Sequence, residues 1–174
     1  LTFYCIPEML NSKETINFVK EFDPHLAIIF GVDIIKDPLL SFLPKDKMNL
    51  HLGLSPWFRG SATLFWPFYF LKPQFAGLTF HNISHKSDAG DIFHQSTPSL
   101  SKGDGIHNVG TKVVLNGSED IVKMLKKFDK EKKLNLQFQK TSGRLWLAKD
   151  FKPIHLRVIY DLFENKIVDE YLSG

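Results

Sequence analysis

The segment Leu26-Ala27-Ile28-Ile29-Phe30 is a continuous run of apolar residues, and Gly31 follows it directly. An unbroken run of this length is typical of a strand that is covered on both faces of a sheet. Before it, Asn11-Ser12-Lys13-Glu14 has the pattern of a capping box, a polar cap with a carboxylate three positions later. A helix is therefore predicted from this cap to about Phe22, where Asp23-Pro24 ends it.

Strands and helices are predicted to alternate through the first fifty residues. Leu1 to Ile6 is predicted as a strand before the capped helix, and a short helix or turn near residues 36–42 leads to a strand at Met48 to His51. This alternation predicts an α/β fold with a mostly parallel sheet flanked by helices. Ligands bind beyond the carboxyl ends of the strands in such sheets, so Gly31 and residues 49–51 lie where a site is expected.

The remaining elements are predicted to complete one main domain, residues 1–130, with residues 131–174 forming a small C-terminal hairpin and helix packed on it. Pro67 is expected to kink or end the helix predicted at 61–71. The predicted elements are a helix at 61–71, strands at 75–83 and 92–95, helices at 104–115 and 118–128, a hairpin of 134–139 and 144–148 around Thr141-Ser142-Gly143, and a helix or helix pair at 153–171.

Composition excludes several classes of protein. Of the 174 residues, 43% are hydrophobic and 24% are charged, which is typical of a globular domain. The net charge of +3 is too small to indicate a nucleic-acid partner, and the lysines of residues 123–133 alternate with acidic residues, as on a solvated helix face. No apolar run is long enough to cross a membrane.

Cys5 is the only cysteine, so no internal disulfide is possible. A reducing, cytoplasmic location is the expectation from this cysteine use and from the lack of a visible signal peptide. Because the chain begins with Leu1 inside an apolar run, we expect that an N-terminal segment of the natural protein is missing.

Three polar residues provide the groups that an acyl transfer between two nitrogens requires. Asn49 is a hydrogen-bond donor for the oxyanion, and His51 is an acid–base that titrates near neutrality. In a strand, side chains two positions apart lie on the same face. Asp88 is predicted to orient His51 and to raise its pKa, if the loop Ser87-Asp88-Ala89-Gly90-Asp91 folds back over the strand end.

Other kinds of site compete with this interpretation. His81, His85 and His94 lie near two aspartates in sequence, but no zinc motif is present, so no metal is expected. A hydrolase triad of Ser55, His51 and Asp88 lacks the Gly-x-Ser-x-Gly elbow. The sequence contains neither a phosphate loop nor a dinucleotide-binding turn.

The segments from Asn49 to Arg59-Gly60 and from Ser87 to Asp91 together resemble the formyltetrahydrofolate-dependent formyltransferases. The resemblance implies a Rossmann-like domain, 10-formyltetrahydrofolate as the donor, and Asn49, His51 and Asp88 as the catalytic residues. It also implies that this chain lacks the family's first strand and helix. The residues expected to bind folate are Gly31, Val32, Ile34, Ile35, Ile83 and His85, and those expected to bind the second substrate are Trp57, Arg59 and Gly60.

The sequence after His51 distinguishes branches of that family. Many members have Ser two residues after the histidine, whereas this chain has Gly53, followed by Leu54-Ser55-Pro56. Together with the later Phe-Trp-Pro run, this sequence is most similar to the branch that formylates amino sugars for surface polysaccharides. A nucleotide-linked amino sugar is therefore the expected acceptor, with Trp57, Phe58 and Trp66 as its expected stacking surfaces.

Alternative acceptors and a non-catalytic role stay open at this point. Glycinamide ribonucleotide transformylases usually lack the pair Arg59-Gly60, and the low basic charge is unfavourable for methionyl-tRNA. A folate-binding relic without activity would have no physical reason to keep all three catalytic residues. The aromatic segment 151–171 is expected to pack on the domain or on a second subunit, as in a homodimer.

Overall fold

A four-stranded sheet surrounded by helices forms the body of the computed structural model, which describes residues 1–139 and 143–174. Short 3-10 and π turns fill several of the connections. The elements are α1 (Lys13–Phe22), β1 (Leu26–Ile29), α2 (Leu39–Phe42), β2 (Asp46–His51), β3 (Phe58–Gly60), α3 (Trp66–Tyr69), β4 (Leu78–Asn82), β5 (Ile92–Ser96), α4 (Ile106–Glu131), β6 (Arg144–Trp146) and α5 (Ile167–Ser173).

The strand order in the main sheet is β1-β2-β4-β5. β1 and β2 are parallel, while β4 is antiparallel to both of its neighbours, so three of the four strands run in the same direction. The direction of β4 follows from its connection, because the short loop 83–91 joins it to β5 as a hairpin, and a hairpin is antiparallel. The predicted α/β class with a mostly parallel sheet is confirmed in this sense.

The predicted N-terminal helix is confirmed, whereas the predicted strand before it is wrong. Ser12 caps α1, since its hydroxyl accepts the backbone N–H of Thr15 at 3.4 Å. Residues 1–6 form no strand, and Phe3 instead stacks on Phe18 of α1 with ring centroids 4.9 Å apart. Phe3 thus packs against a helix, whereas Leu1, Tyr4 and Ile6 of the same segment are exposed.

The predicted pair of helices at 104–115 and 118–128 is a single helix, α4. Ser118 does not begin a new helix, because its hydroxyl donates to the carbonyl of Val114 one turn earlier. Gly117 is buried, and a Cβ there would lie 2.9 Å from a methyl group of Leu78. The glycine is therefore explained by the close approach of α4 to β4, and a helix interior tolerates one glycine at about 1 kcal/mol.

The predicted C-terminal hairpin is wrong in its strand pairing. Arg144–Trp146 forms β6, which pairs in parallel with β3, and Gln137 forms an isolated antiparallel bridge with Ile92. The segments thus pair with other parts of the domain, and Thr141 and Ser142 lie outside the described residues. The segment 153–171, predicted as a helix or a helix pair, is interrupted, because Glu164 and Asn165 adopt positive φ before α5. The division at residue 130 stays a prediction.

An aromatic cluster joins the small β3–β6 sheet to the C-terminal segment. Trp66 stacks on Trp146 with ring centroids 4.2 Å apart, and Phe65 meets Phe151 edge to face at 4.9 Å. Trp66 is 2% exposed, and its indole N–H donates to the carbonyl of Ser61. The cluster holds β3 in place, and β3 carries Gly60 into the site described below.

In the part of the chain that the structure describes, no helix has the length and apolar character needed to cross a membrane.

Candidate active site

Asn49 and His51 lie at the carboxyl end of β2 and reach toward the same loop, as the strand spacing predicts. The antiparallel register pairs Asn49 with His81 and His51 with Thr79 of β4. Asn49 and His81 are therefore direct cross-strand neighbours, and side chains in such a pair are close enough to interact. Two adjacent central strands therefore contribute three polar side chains to the site, those of Asn49, His51 and His81.

Asp88 lies in the loop 83–91, which folds back over the ends of these strands as predicted. Asn82 donates its N–H to the carbonyl of Asp91 at 2.7 Å, closing the loop at its base. Gly90 lies so close to Asn82 that a Cβ would meet the Asn82 carbonyl oxygen at 1.8 Å. Asp88 has a φ of 48°, a left-handed conformation that Asp tolerates better than most residues.

The carboxylate of Asp88 is the centre of the site. Its Oδ2 accepts the backbone N–H of Gly60 at 2.9 Å. Its Oδ1 is 3.3 Å from Nε2 of His81, 3.4 Å from Nδ2 of Asn49 and 3.6 Å from Nδ1 of His51. The structure therefore brings the three predicted catalytic residues together and adds His81 and the Gly60 amide.

His51 is 7% exposed and is held by a backbone group on its other side. Its Nε2 lies 2.8 Å from the carbonyl oxygen of Phe58. Because a carbonyl only accepts hydrogen bonds, Nε2 carries the hydrogen of the neutral ring. The nitrogen that takes up or releases a proton is therefore Nδ1, which faces Asp88.

Asp88 favours the imidazolium of His51 as predicted, but the net pKa of His51 is lowered and not raised. Burial lowers this pKa and outweighs the Asp88 charge and the Phe58 hydrogen bond, which favour the imidazolium; His81 and Arg59 lower it further. Burial alone would raise the pKa of Asp88. The hydrogen bond from His81, the charge of His51 and the N–H of Gly60 instead hold that pKa below its usual value. The site thus keeps a carboxylate beside a neutral imidazole.

The lowered pKa of His51 makes a testable contribution to the stability of the fold. The unfolded chain takes up a proton at His51 near pH 6.5, whereas the folded chain takes it up only at lower pH. Stability that is present above pH 6.5 is therefore lost as the pH falls toward the folded pKa. We expect wild type to lose free energy of unfolding relative to His51→Gln between pH 7.5 and 5, measured by urea titration. A relative gain on acidification would contradict the burial argument.

Two cavities meet at this cluster. The larger, of about 1030 Å³, is lined by His51 and by parts of α4 and the C-terminal segment. The smaller, of about 340 Å³, is lined by His81, the loop after β1 and the loop 83–88. Both cavities are lined by Val32, Asn49, Gly60 and Asp88. Two molecules bound in these cavities would thus meet beside the Asp88 carboxylate.

The smaller cavity contains most of the residues expected to bind folate. Gly31 lines the larger cavity instead. His85 is 74% exposed at the rim, with Nδ1 3.8 Å from a carboxylate oxygen of Asp37. The expected residues that line the smaller cavity are Val32, Ile34, Ile35, Ile83 and His85.

Of the three residues expected to bind the second substrate, Gly60 lines both cavities. Trp57 is 52% exposed, packs edge to face on Phe75, and lines neither of the two cavities as described. Arg59 is buried and donates to the carbonyls of Ser87 and Gly143. Its guanidinium therefore connects the loop that carries Asp88 to Gly143 through hydrogen bonds.

The competing sites are not assembled in the described part of the chain. Ser55 is buried and its hydroxyl lies 3.4 Å from the backbone carbonyl of Asp88, while the ring nitrogens of His51 face Phe58 and Asp88. A nucleophilic Ser55–His51 pair is therefore not formed. Within residues 1–139 and 143–174, no three His, Cys, Asp or Glu side chains converge as a metal site.

His81 was not predicted as a member of the site. His81 could have been identified only from the register of the two strands. Thr79 and His81 lie two positions apart in β4, and the antiparallel pairing with β2 places His81 opposite Asn49. That pairing depends on the direction of β4, which strand patterns alone do not provide.

Gly53 has a specific steric role beside His51. An added Cβ would lie 2.5 Å from the Phe58 carbonyl oxygen, 2.7 Å from Nε2 of His51 and 2.7 Å from Thr63. We expect Gly53→Ala to lower the free energy of unfolding by roughly 1–3 kcal/mol, as overpacking does, and to displace His51. Gly110→Ala in α4 is the stability control, since its Cβ would find only Leu64 at 3.9 Å. Equal stabilities of the two variants would contradict this role.

Comparison with solved structures identifies the fold. The chain superposes on the formyltransferase PseJ from Anoxybacillus kamchatkensis, in complex with UDP-4,6-dideoxy-4-formamido-L-AltNAc and tetrahydrofolate, with a TM-score of 0.68 and 19% identity over 90% of this chain and 92% of that one. A 4-N formyltransferase from Francisella tularensis matches with a TM-score of 0.67 and 20% identity over 81% of this chain and 56% of that one.

A phosphoribosylglycinamide formyltransferase from Anaplasma phagocytophilum matches less closely, with a TM-score of 0.58 and 19% identity over 78% of this chain and 68% of that one. No sequence-family model matches the chain. The chain has the fold of the formyltransferases and spans little more than half the length of the Francisella protein.

Proposed function

We propose that the protein transfers a formyl group from 10-formyltetrahydrofolate to the primary amine of a nucleotide-linked amino sugar. The observation that carries this proposal is the junction of two cavities at Asn49 and Asp88. A group transfer between two substrates requires both reacting atoms beside the same polar groups. Hydrolysis or simple binding would require only one of the cavities.

The smaller cavity suits the donor. Ile29, Val32, Ile34 and Ile35 give it an apolar lining, and residues 83–88 complete the lining with polar side chains among them. A flat heteroaromatic ring with hydrogen-bonding edges matches such a slot. The bound donor supplies an activated formyl group, and its carbonyl would lie toward Asn49 and Asp88.

The larger cavity suits the acceptor. Its volume of about 1030 Å³ exceeds what a small amine needs and is sufficient for a sugar with an attached nucleotide. Polar groups are part of its lining, among them Thr111 and the pair His107 and Tyr160, whose Nε2 and hydroxyl oxygen are 2.9 Å apart. The uridine-diphospho sugar in the Anoxybacillus structure is a ligand of the same class.

The roles of the three central residues follow from their chemistry. Asn49 donates an N–H to the oxygen of the formyl group as negative charge develops there. His51 is neutral at pH 7 because of burial, so Nδ1 is able to take the proton that the attacking amine loses. Asp88 stays ionised and stabilises the imidazolium that results.

The experiment is a release assay with the full chain and 10-formyltetrahydrofolate. Tetrahydrofolate release is followed by absorbance with thymidine- and uridine-diphospho-amino sugars, glycinamide ribonucleotide and methionyl-tRNA, and His51→Ala is the control. We expect release with one amino sugar and a rate about 10²–10⁴-fold lower in the control.

Two outcomes would contradict the proposal. Release with glycinamide ribonucleotide or methionyl-tRNA alone would keep the reaction but replace the acceptor. Binding of the donor with no release across the panel would instead support a folate-binding protein without this activity.

A further inference from the structure

His81 is buried at 3% exposure, and its hydrogen-bond partners determine where its hydrogen lies. Nδ1 is 2.8 Å from the carbonyl oxygen of Asn82, which only accepts, so Nδ1 carries a hydrogen in both charge states. Nε2 is therefore the nitrogen that changes, bare in the neutral ring and N–H in the cation. His51 has the mirrored arrangement, with Nε2 fixed by Phe58 and Nδ1 free to change.

The two changing nitrogens face the same atom, Oδ1 of Asp88. Nε2 of His81 lies at 3.3 Å and Nδ1 of His51 at 3.6 Å. With both rings neutral, the carboxylate oxygen would face two nitrogen lone pairs. A proton on either ring removes this repulsion, and His81 is near enough for a hydrogen bond, whereas His51 is beyond that distance. His81 is therefore the ring from which Oδ1 of Asp88 accepts a proton most directly.

The hydrogen bonds of Asn49 depend on the charge of His81. Its NH2 group has two hydrogens and lies 3.2 Å from Nε2 of His81 and 3.4 Å from Oδ1 of Asp88. When His81 is neutral, both hydrogens have acceptors inside the protein. When His81 is protonated, Nε2 no longer accepts, and one N–H of Asn49 becomes free for a ligand in the shared part of the cavities.

The two histidines also lie on different sides of Asp88. His51 lines the larger cavity and His81 lines the smaller one. Under the proposed function, on which this inference rests, the acceptor amine is on the side of His51 and the departing nitrogen of the donor is on the side of His81.

We propose that His81 is a second proton-carrying residue of the site, which protonates the departing donor nitrogen while His51 deprotonates the attacking amine. The N–C bond to the acceptor forms as the amine loses a proton to Nδ1 of His51. The C–N bond to the donor breaks as the departing nitrogen receives the proton from Nε2 of His81. One proton then passes from His51 to His81 through Oδ1 of Asp88, and both rings return to their starting states.

This order of proton transfers also changes the hydrogen bonds that Asn49 makes during the reaction. While His81 is protonated, the free N–H of Asn49 is available to the formyl oxygen, where negative charge develops. Once His81 has given up its proton, Nε2 accepts that N–H again as the carbonyl of the product forms. The charged or titratable groups around the two rings are Asp88 and Arg59, with each ring facing the other across the site.

The variant that tests the proposal is His81→Gln. A glutamine amide oxygen is able to accept the Asn49 N–H but is not able to carry a proton, so it replaces a positioning role and not an acid. We expect kcat to fall about 10²-fold with KM little changed, and the alkaline limb of the kcat profile to disappear. His94→Gln is the matched control, since His94 is a strand histidine that pairs with Asp120 at 3.0 Å outside the site.

A measurement on the unmodified protein accompanies the kinetics. In histidine-labelled full chain, nitrogen NMR should show that neutral His81 carries its hydrogen on Nδ1 and gains the second on Nε2. A neutral His81 with its hydrogen on Nε2 would overturn the proposal, and so would a His81→Gln enzyme with wild-type kcat and pH profile. If wild type transfers no formyl group to any acceptor, the proposed function fails and this inference falls with it. Transfer by wild type with an unaffected His81→Gln overturns only the role of His81.

Discussion

Asp88→Asn is expected to lower the rate of formyl transfer by about 10³-fold, the middle of the usual range for acid–base catalysis. Gly60 donates its N–H to Oδ2 at 2.9 Å, so the carbonyl oxygen of an introduced asparagine would occupy that place. Its NH2 would then take the place of Oδ1, 3.4 Å from the NH2 of Asn49, with donor against donor. The negative charge that stabilises an imidazolium would also be lost.

The control for this variant is Asp91→Asn, three positions later in the same loop. Asp91 accepts the backbone N–H of Gln139 at 3.4 Å and does not touch the two histidines in the described structure. We expect near-normal steady-state kinetics from Asp91→Asn and an unchanged circular dichroism spectrum from both variants. Comparable rates for the two variants would show that Asp88 does not organise the reaction.

Trp66→Ala is expected to lower the free energy of unfolding by about 3–5 kcal/mol, the usual cost of removing a large buried aromatic side chain. The substitution removes the stack of Trp66 on Trp146 at 4.2 Å, its edge-to-face contact with Phe65 at 5.2 Å and its hydrogen bond to Ser61. Because a domain is stable by only about 5–15 kcal/mol, this loss is a large part of the total. Urea unfolding followed by circular dichroism measures it.

Trp57→Ala is the matched control for stability, because Trp57 is the same residue type on a half-exposed position. Its aromatic contact is with Phe75 at 5.6 Å, and more than half of its surface already faces solvent. We expect a loss within about 1 kcal/mol. A small loss from Trp66→Ala, equal to that of Trp57→Ala, would mean that the cluster does not hold the β3–β6 sheet.

The centre of the site was predictable because it follows from local rules. Asn49 and His51 are two positions apart in a strand, so their shared face required only the strand period. The helix cap at Ser12 and the buried strand at Leu26–Ile29 were predictable from equally local patterns. The return of Asp88 to the strand end was predicted as a condition of the site, and the turn-forming residues Ala89 and Gly90 made it plausible in sequence.

The features that escaped prediction depend on contacts distant in sequence. The partner of β6 is β3, more than eighty residues earlier, and no local pattern encodes that pairing. Gly117 interrupts the helical pattern locally but is explained by the proximity of Leu78. His81 joins the site only through the antiparallel register, and the pKa of His51 falls because burial, which sequence does not give, outweighs a nearby charge.

Formyl transfer between the two cavities is tested most directly by following the formyl carbon itself. Donor labelled with carbon-13 in the formyl group is mixed with the full chain and the amino sugar selected in the release assay, and the carbon spectrum is recorded over time. We expect the label to appear as a formamide on the sugar amine, about 10³-fold more slowly with Asp88→Asn. Label that appears as free formate, or that stays on the donor while both ligands are bound, would contradict transfer between the two cavities.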